Sequence, residues 1–189
     1  MDPSVIVLAI LLVVPIIVIV SVIALYNGLV RVRNACDESW AGIDTELKRR
    51  YDLIPNLVNT VKGYAAHEKD VLERVIQARN AAVASQGSPE AQARDENALI
   101  GTLRQLFALA ENYPDLKANQ NFLQLQGELV NTEDRIQRSR RFYNANVRDL
   151  SNRIDLFPSS IIARMFHFTK REYFEVEDAI VRERPVVEF

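Results

Sequence analysis

A single cysteine, Cys36, in 189 residues excludes an intramolecular disulfide framework and any zinc site built on cysteine pairs. Six glycines are too few for a loop-rich or β architecture, and no glycine-rich phosphate loop or nucleophile elbow occurs. Histidine is scarcer still. His67-Glu68 is followed by Lys69-Asp70-Val71, so the second histidine of an HExxH zinc motif is missing, and His167 stands in a different segment. Neither sign of charge dominates: 23 basic against 25 acidic residues create no field that would recruit nucleic acid or a polyanionic substrate. Arg135, Arg138, Arg140 and Arg141 resemble a basic patch, but Glu128, Glu133 and Asp134 are interleaved with them, as on a solvated helix face. The expectation is a non-enzymatic chain, with no catalytic, cofactor-binding or metal-binding residue and no cofactor.

What is present is unevenly spread. From Val5 to Leu25 no residue is charged and nearly all are Val, Ile, Leu or Ala. At about 1.5 Å per residue the run is roughly 30 Å long, the thickness of a bilayer's hydrocarbon core. A cleaved signal peptide would want a basic start, a shorter apolar core and a small-residue cleavage site, whereas the chain opens Met-Asp-Pro-Ser and the run ends Leu25-Tyr26-Asn27-Gly28. The reading is an uncleaved transmembrane helix over 5–26, after a short N-terminal segment 1–4, with Tyr26 at the headgroup level. Pro15 is tolerable there because membrane helices adjust locally around proline. No Lys or Arg precedes the run, while Arg31 and Arg33 follow it. The positive-inside tendency therefore puts the N-terminus outside and the C-terminal part in the cytoplasm.

Residues 27–168 read as one helical domain, and 169–189 as a tail that docks back or onto a neighbour. Apolar residues recur three and four apart from Ile43 to Ile76. Ser88 and Pro89 suit the N-cap and first position of a helix that stops before Pro114. Phe122, Leu129, Ile136, Tyr143, Leu150 and Phe157 fall seven apart, which predicts a helix of about 36 residues, roughly 54 Å, carrying a core stripe. On that helix Thr132, Ser139 and Asn146 occupy half-heptad positions, either as the stripe drifts toward solvent or as polar layers that set register. Leu156-Phe157-Pro158-Ser159-Ser160 breaks it. Trp40 sits too far beyond the anchor for a membrane belt and is read as an interhelical packing residue.

The stretch RRYDLIPNLVNTVKGYAAHE, Arg49 to Glu68, poses one local problem. If Asp52 is an N-cap, Pro55 falls in the first turn, where its missing N–H removes nothing. The expectation is a new helix, or a sharp kink, at Tyr51–Pro55 that then runs to Ala84; a continuous helix through the proline is the rival. Asp52, Asn56 and Asn59 make a polar strip on one face, a solvent face or a partner contact.

Four blocks together carry a resemblance: YNGLVRVRN (26–34), IDTELKRRYDLIPNLVNTVKGYAAHE (43–68), ENYPDLKANQNFLQLQ (111–126) and RRFYNANVRDLSNRIDLFPSSIIA (140–163). They cover most of the chain and resemble the LemA family of bacterial single-pass membrane proteins. Departures from the family pattern are expected around Ser85–Arg94 and after Phe168. The resemblance implies a helical bundle, location in the bacterial cell (inner) membrane and no established catalytic activity. Association of family members with membrane metalloproteases or stress responses makes an adaptor or regulator of such a component the alternative function.

The combined expectation is an all-α chain: a transmembrane helix followed by an elongated antiparallel bundle of about four helices with a short C-terminal appendage. It would self-associate as a scaffold at the membrane, with Tyr143 and Phe157 near an under-covered end of the bundle. Phe174 and Phe189 of the tail would be their neighbours across protomers.

Overall fold

From Leu29 to Val61 the buried residues recur every three or four positions, as they must if one unbroken helix lays a single stripe against the rest of the chain. The computed structural model describes residues 3–85 and 87–176, with residues 3 and 5–9 described through their backbone only. It is all-α. Among the described residues there is no strand, and six helices follow in order: α1 (Pro3–Lys62), α2 (Lys69–Ala84), α3 (Pro89–Ala110), α4 (Pro114–Lys117), α5 (Gln120–Asp155) and α6 (Ser159–Met165). Four of these are long, α1 joining the transmembrane run to the first helix of the bundle, while α4 and α6 are short turns of helix beside proline.

Two boundaries differ from expectation. No helix begins at Asp52. It is an exposed residue inside α1, which runs on through Pro55 to Lys62. Proline at 55 cannot donate to the carbonyl of Tyr51, the acceptor four residues back. The side chain of Arg79, on α2, supplies the missing donor, its Nε lying 3.2 Å from that carbonyl. The orphan left by the proline is thereby satisfied from another helix, and the continuous reading is the correct one. The break comes instead at 63–68, where Gly63 follows the last helical residue and the chain turns before α2. His67 lies in that turn, exposed, rather than on a helix.

The other signals hold. The Ser88 hydroxyl accepts from the backbone N–H of Ala91, with Pro89 at the first helical position of α3. Helix α5 has 36 residues, and Phe122, Leu129, Ile136, Tyr143 and Leu150 are all buried along it. Phe157 falls beyond the end of α5, where the stripe stops, and is exposed.

The chain forms two compact units. One comprises Met1–Glu38 with Ala145–Arg171, and its core joins Leu29, Val32 and Cys36 of α1 to Val147 and Leu150 of α5 and to Ile162 and Ala163 of α6. The Asn146 side-chain amide donates to the Ala35 carbonyl at 3.2 Å, so this half-heptad polar residue ties α5 to α1 rather than facing water. Cys36 is buried here, and that burial raises its thiol pKa. The apolar run of α1 lies outside this core: apart from Val22, its Val, Ile and Leu residues from Ile10 to Ile23 keep half or more of their surface exposed, as expected of a helix whose solvent is lipid.

The second unit comprises Ser39–Asn144 with Glu172–Phe189. Its core brings together Ile43, Leu47, Ile54 and Leu57 of α1, Leu72 and Val75 of α2, Leu99, Leu103 and Leu106 of α3, Leu116 of α4, and the first half of α5. Phe107 and Phe122 close one end, with ring centroids 6.3 Å apart.

Candidate functional site

Along the buried stripe of α1 one position carries a charge. Arg50 follows Leu47 by three and precedes Ile54 by four, so the helix that buries those two must bury it as well, and it is 1% exposed. Two carboxylates meet it. Glu96 of α3 stands on the same face as Gln92, Leu99 and Leu103, and Glu133 of α5 stands beside Leu129 and Ile136; both are buried. Arg50 donates from Nη1 to Glu133 Oε2 at 2.7 Å and from Nη2 to Glu96 Oε2. Glu96 Oε1 also accepts from the Tyr51 hydroxyl and from Gln92 Nε2, the latter at 2.9 Å. Gln92 donates to the Tyr51 oxygen at 3.0 Å and to the Ala82 carbonyl, in the last turn of α2, at 3.2 Å. One guanidinium thus ties α1, α3 and α5 together, and Gln92 adds α2.

The electrostatics follow from burial and neighbours. Desolvation works against the charge on Arg50, but Glu96 and Glu133 outweigh it and hold the guanidinium above its ordinary pKa. Burial, followed by the adjacent Glu96 carboxylate, pushes the Tyr51 hydroxyl well above its own. Arg50 and Tyr51 are thereby held protonated and serve the cluster as hydrogen-bond donors. Its chemistry is structural. Removing one member of such a buried network leaves its partner uncompensated and costs about 3–5 kcal/mol.

The expected contact residues fall elsewhere. Tyr143, expected near an under-covered end of the bundle, and Phe174, expected as its neighbour across protomers, are both buried within one chain, where Trp40 packs against both rings at centroid distances of 5.3 Å. The tail residues 172–176 form neither helix nor strand, and α5 holds them by their backbone. The Tyr143 hydroxyl donates to the Glu172 carbonyl at 2.9 Å, and Arg140 donates to the Val176 carbonyl. Asn144 does both jobs at once, donating to the Phe174 carbonyl at 3.1 Å and accepting from the Phe174 N–H at 3.0 Å. A carboxamide is the one small side chain that can serve both peptide groups of one residue. The tail docks back, and the FYNAN run is its receptor. Phe189 lies outside the described residues. Phe157 remains exposed, while Asp52, Asn56 and Asn59 form an exposed strip.

Beside that strip lies a groove of about 610 Å³ between the end of α1 and α2. Pro55, Val58, Leu72 and Ile76 give it an apolar floor, with Lys62, Lys69 and Glu73 at its edge. Among the described residues no three metal-ligating side chains converge there or elsewhere.

The LemA family model matches residues 39–189. The chain belongs to the LemA family. The match takes in the Arg50 cluster, the groove and the tail receptor, and begins beyond the anchor and the 26–34 block. Curated relatives of this LemA-family chain include the magnetosome protein MamQ of Magnetospirillum gryphiswaldense and magnetosome protein MamQ 2 of Paramagnetospirillum magneticum. Each is 25% identical over 82% of this chain and 66% of its own length. Protein LemA of Metamycoplasma hominis is also 25% identical, over 80% of this chain and 69% of its own. The chain thus spans just under two thirds of the length of the MamQ proteins it matches. With the apolar helix of α1, these relatives make it a membrane protein built of helices.

Neither the Arg50–Glu96–Glu133 cluster nor the Arg79 rescue of Pro55 was anticipated from the sequence. A signal for the first was nonetheless there. Arg50, Glu96 and Glu133 each interrupt an apolar stripe at a position that helical spacing buries, and buried charges of opposite sign must find one another.

Proposed function

We propose that the chain is a non-enzymatic scaffold of the bacterial cell membrane that self-associates through the outer surface of its helical bundle, with the N-terminus outside and the bundle in the cytoplasm. The groove between α1 and α2 carries this reading. Its apolar floor of Pro55, Val58, Leu72 and Ile76 opens to the surface, and the described tail residues, 172–176, pack beside Trp40 and Tyr143 instead. Its edge bears both signs of charge, Lys62 and Lys69 with Glu73, which lets the charged edge complement itself when two copies pair about a two-fold axis. Confinement by the anchor raises the effective concentration of copies, so a modest contact suffices. The non-enzymatic part is supported by the fate of the reactive side chains: the buried acids and arginine are consumed as ties between helices.

The test is the mass of the full-length protein in mild detergent across a wide concentration range. Species larger than a monomer are expected, and Ile76→Glu, which places a carboxylate on the groove floor, should return them to monomer. A single monomeric species throughout would remove self-association and leave the adaptor of a membrane protease or stress component in front.

A further inference from the structure

Single exposed apolar residues are ordinary, but five large ones within 156–166 are not. Leu156 is 61% exposed, Phe157 80%, Ile161 54%, Met165 60% and Phe166 47%. They cover the turn after α5 and the outer side of α6, where Ile161 and Met165 stand one helical turn apart. The inner side of α6 is already used, with Ser160, Ile162 and Ala163 buried, so rotating the helix would expose as much as it hid.

The position of this surface follows from what its end touches. Helix α6 closes with the His167 N–H on the Arg164 carbonyl and the Phe168 N–H on the Ala163 carbonyl, and His167 takes the left-handed conformation at φ 56°. That reversal sends both phenylalanines to one ring. Phe166 lies 4.7 Å from Tyr26 and Phe168 5.9 Å, centroid to centroid, while the Arg33 guanidinium stands 5.4 Å over Phe168. Tyr26 ends the apolar run of α1, and an aromatic there belongs at the headgroup level. Helix α6 has seven residues, about 10 Å, and Phe166 directly after it packs on Tyr26, so its apolar side runs beside a group at the bilayer surface. Interfacial helices bury their apolar face about 5–10 Å into that boundary. Arg164 on α6 is exposed and long enough to keep its charge among the headgroups.

We propose that the turn and helix at 156–166 are a second membrane contact, dipping its apolar side into the headgroup–acyl boundary of the leaflet at which the anchor ends. The partner is a lipid surface, because the patch is continuous with the end of a membrane-spanning helix. The contact rests on the anchor alone and does not require self-association. It would fix the angle at which α1 leaves the membrane, through the Tyr26–Phe166 contact.

The experiment uses full-length protein in nanodiscs of phosphatidylcholine and phosphatidylglycerol, where both faces are open to solvent. Ile161→Cys and Met165→Cys, both at exposed positions that disturb no core, are labelled with a nitrobenzoxadiazole dye, as is Gln105→Cys on α3 for comparison. The unsubstituted chain gives the blank for buried Cys36. Lipids carrying a nitroxide near the glycerol end of the acyl chain should quench the dye at 161 and 165 several-fold more than at 105, and soluble iodide several-fold less. Equal behaviour at all three positions would overturn the proposal. Protection at 161 and 165 from both quenchers would overturn it too, and would assign the surface to a contact between copies instead.

Discussion

Tyr51 shows how much a single buried hydroxyl is asked to do. It donates to Glu96, accepts from Gln92, and is 6% exposed, so its ionised form would add a third negative charge beside Glu96 and Glu133. Burial and Glu96 raise its pKa in the fold above the ordinary value of 10.0 that the unfolded chain would show. The stability this contributes is fully present below pH 10 and drains as pH climbs past it, because the unfolded chain releases a proton that the fold retains. The loss approaches about 1.4 kcal/mol per pH unit until the folded value is reached. Thermal melting of the full-length protein in mild detergent should therefore fall steeply between about pH 10 and 11. Tyr51→Phe should start about 1–3 kcal/mol less stable at pH 8, having lost the hydroxyl's hydrogen bonds, yet decline more gently above pH 10. Cys36, whose thiol is also raised by burial, contributes an alkaline loss to both proteins alike and does not affect the difference. Parallel curves would mean that Tyr51 ionises as freely in the fold as out of it.

At the scale of elements, what was legible was local. The Ser88–Pro89 start of α3 needs only adjacent residues, and the heptad stripe of α5 needs only one helix's own period. The course of α1 through Pro55 was not legible, because what satisfies the Tyr51 carbonyl is Arg79, 28 residues beyond Tyr51 and on another helix. The Arg50 cluster has the same character: its members lie 46 and 83 residues from Arg50, beyond any pattern a local window can hold. The docking of Phe174 beside Tyr143 within one chain is a further case, since nothing near Phe174 announces that Asn144 will bind its backbone. The Arg79 contact makes a quantitative expectation. Arg79→Met should cost about 1–2 kcal/mol in the wild-type chain, where the Tyr51 carbonyl would be left without a donor. In a Pro55→Ala background the new N–H takes that carbonyl itself, and the same Arg79→Met change should cost less than half as much. Thermal melts of the four proteins close the cycle. An equal cost in both backgrounds would mean that Arg79 stabilises α2 by other means, and that the proline's orphan carbonyl is satisfied elsewhere.

At the scale of the whole molecule, orientation decides which compartment meets the groove and the tail. The anchor's flanks differ in charge: none of residues 1–4 is basic, whereas Arg31 and Arg33 follow within two turns of Tyr26. Basic residues near a membrane helix are retained on the cytoplasmic side. Lys48, Arg49 and Lys62 farther along α1 point the same way but lie too distant to weigh heavily. The expected arrangement is N-terminus out, bundle in. It is checked with an impermeant maleimide on intact cells, using cysteines at Ser4 and at Gln105, both exposed in the fold. Gly87 is a poor choice for the second site, because a side chain there would meet the Cβ of Ala91 at 2.7 Å. Ser4→Cys should label in intact cells, and Gln105→Cys only after the membrane is permeabilised. Buried Cys36 should stay silent in both. The opposite pattern would place the groove, the tail receptor and the 156–166 surface outside the cell. A scaffold would then have to find its copies, and an adaptor its partner, on that face of the membrane.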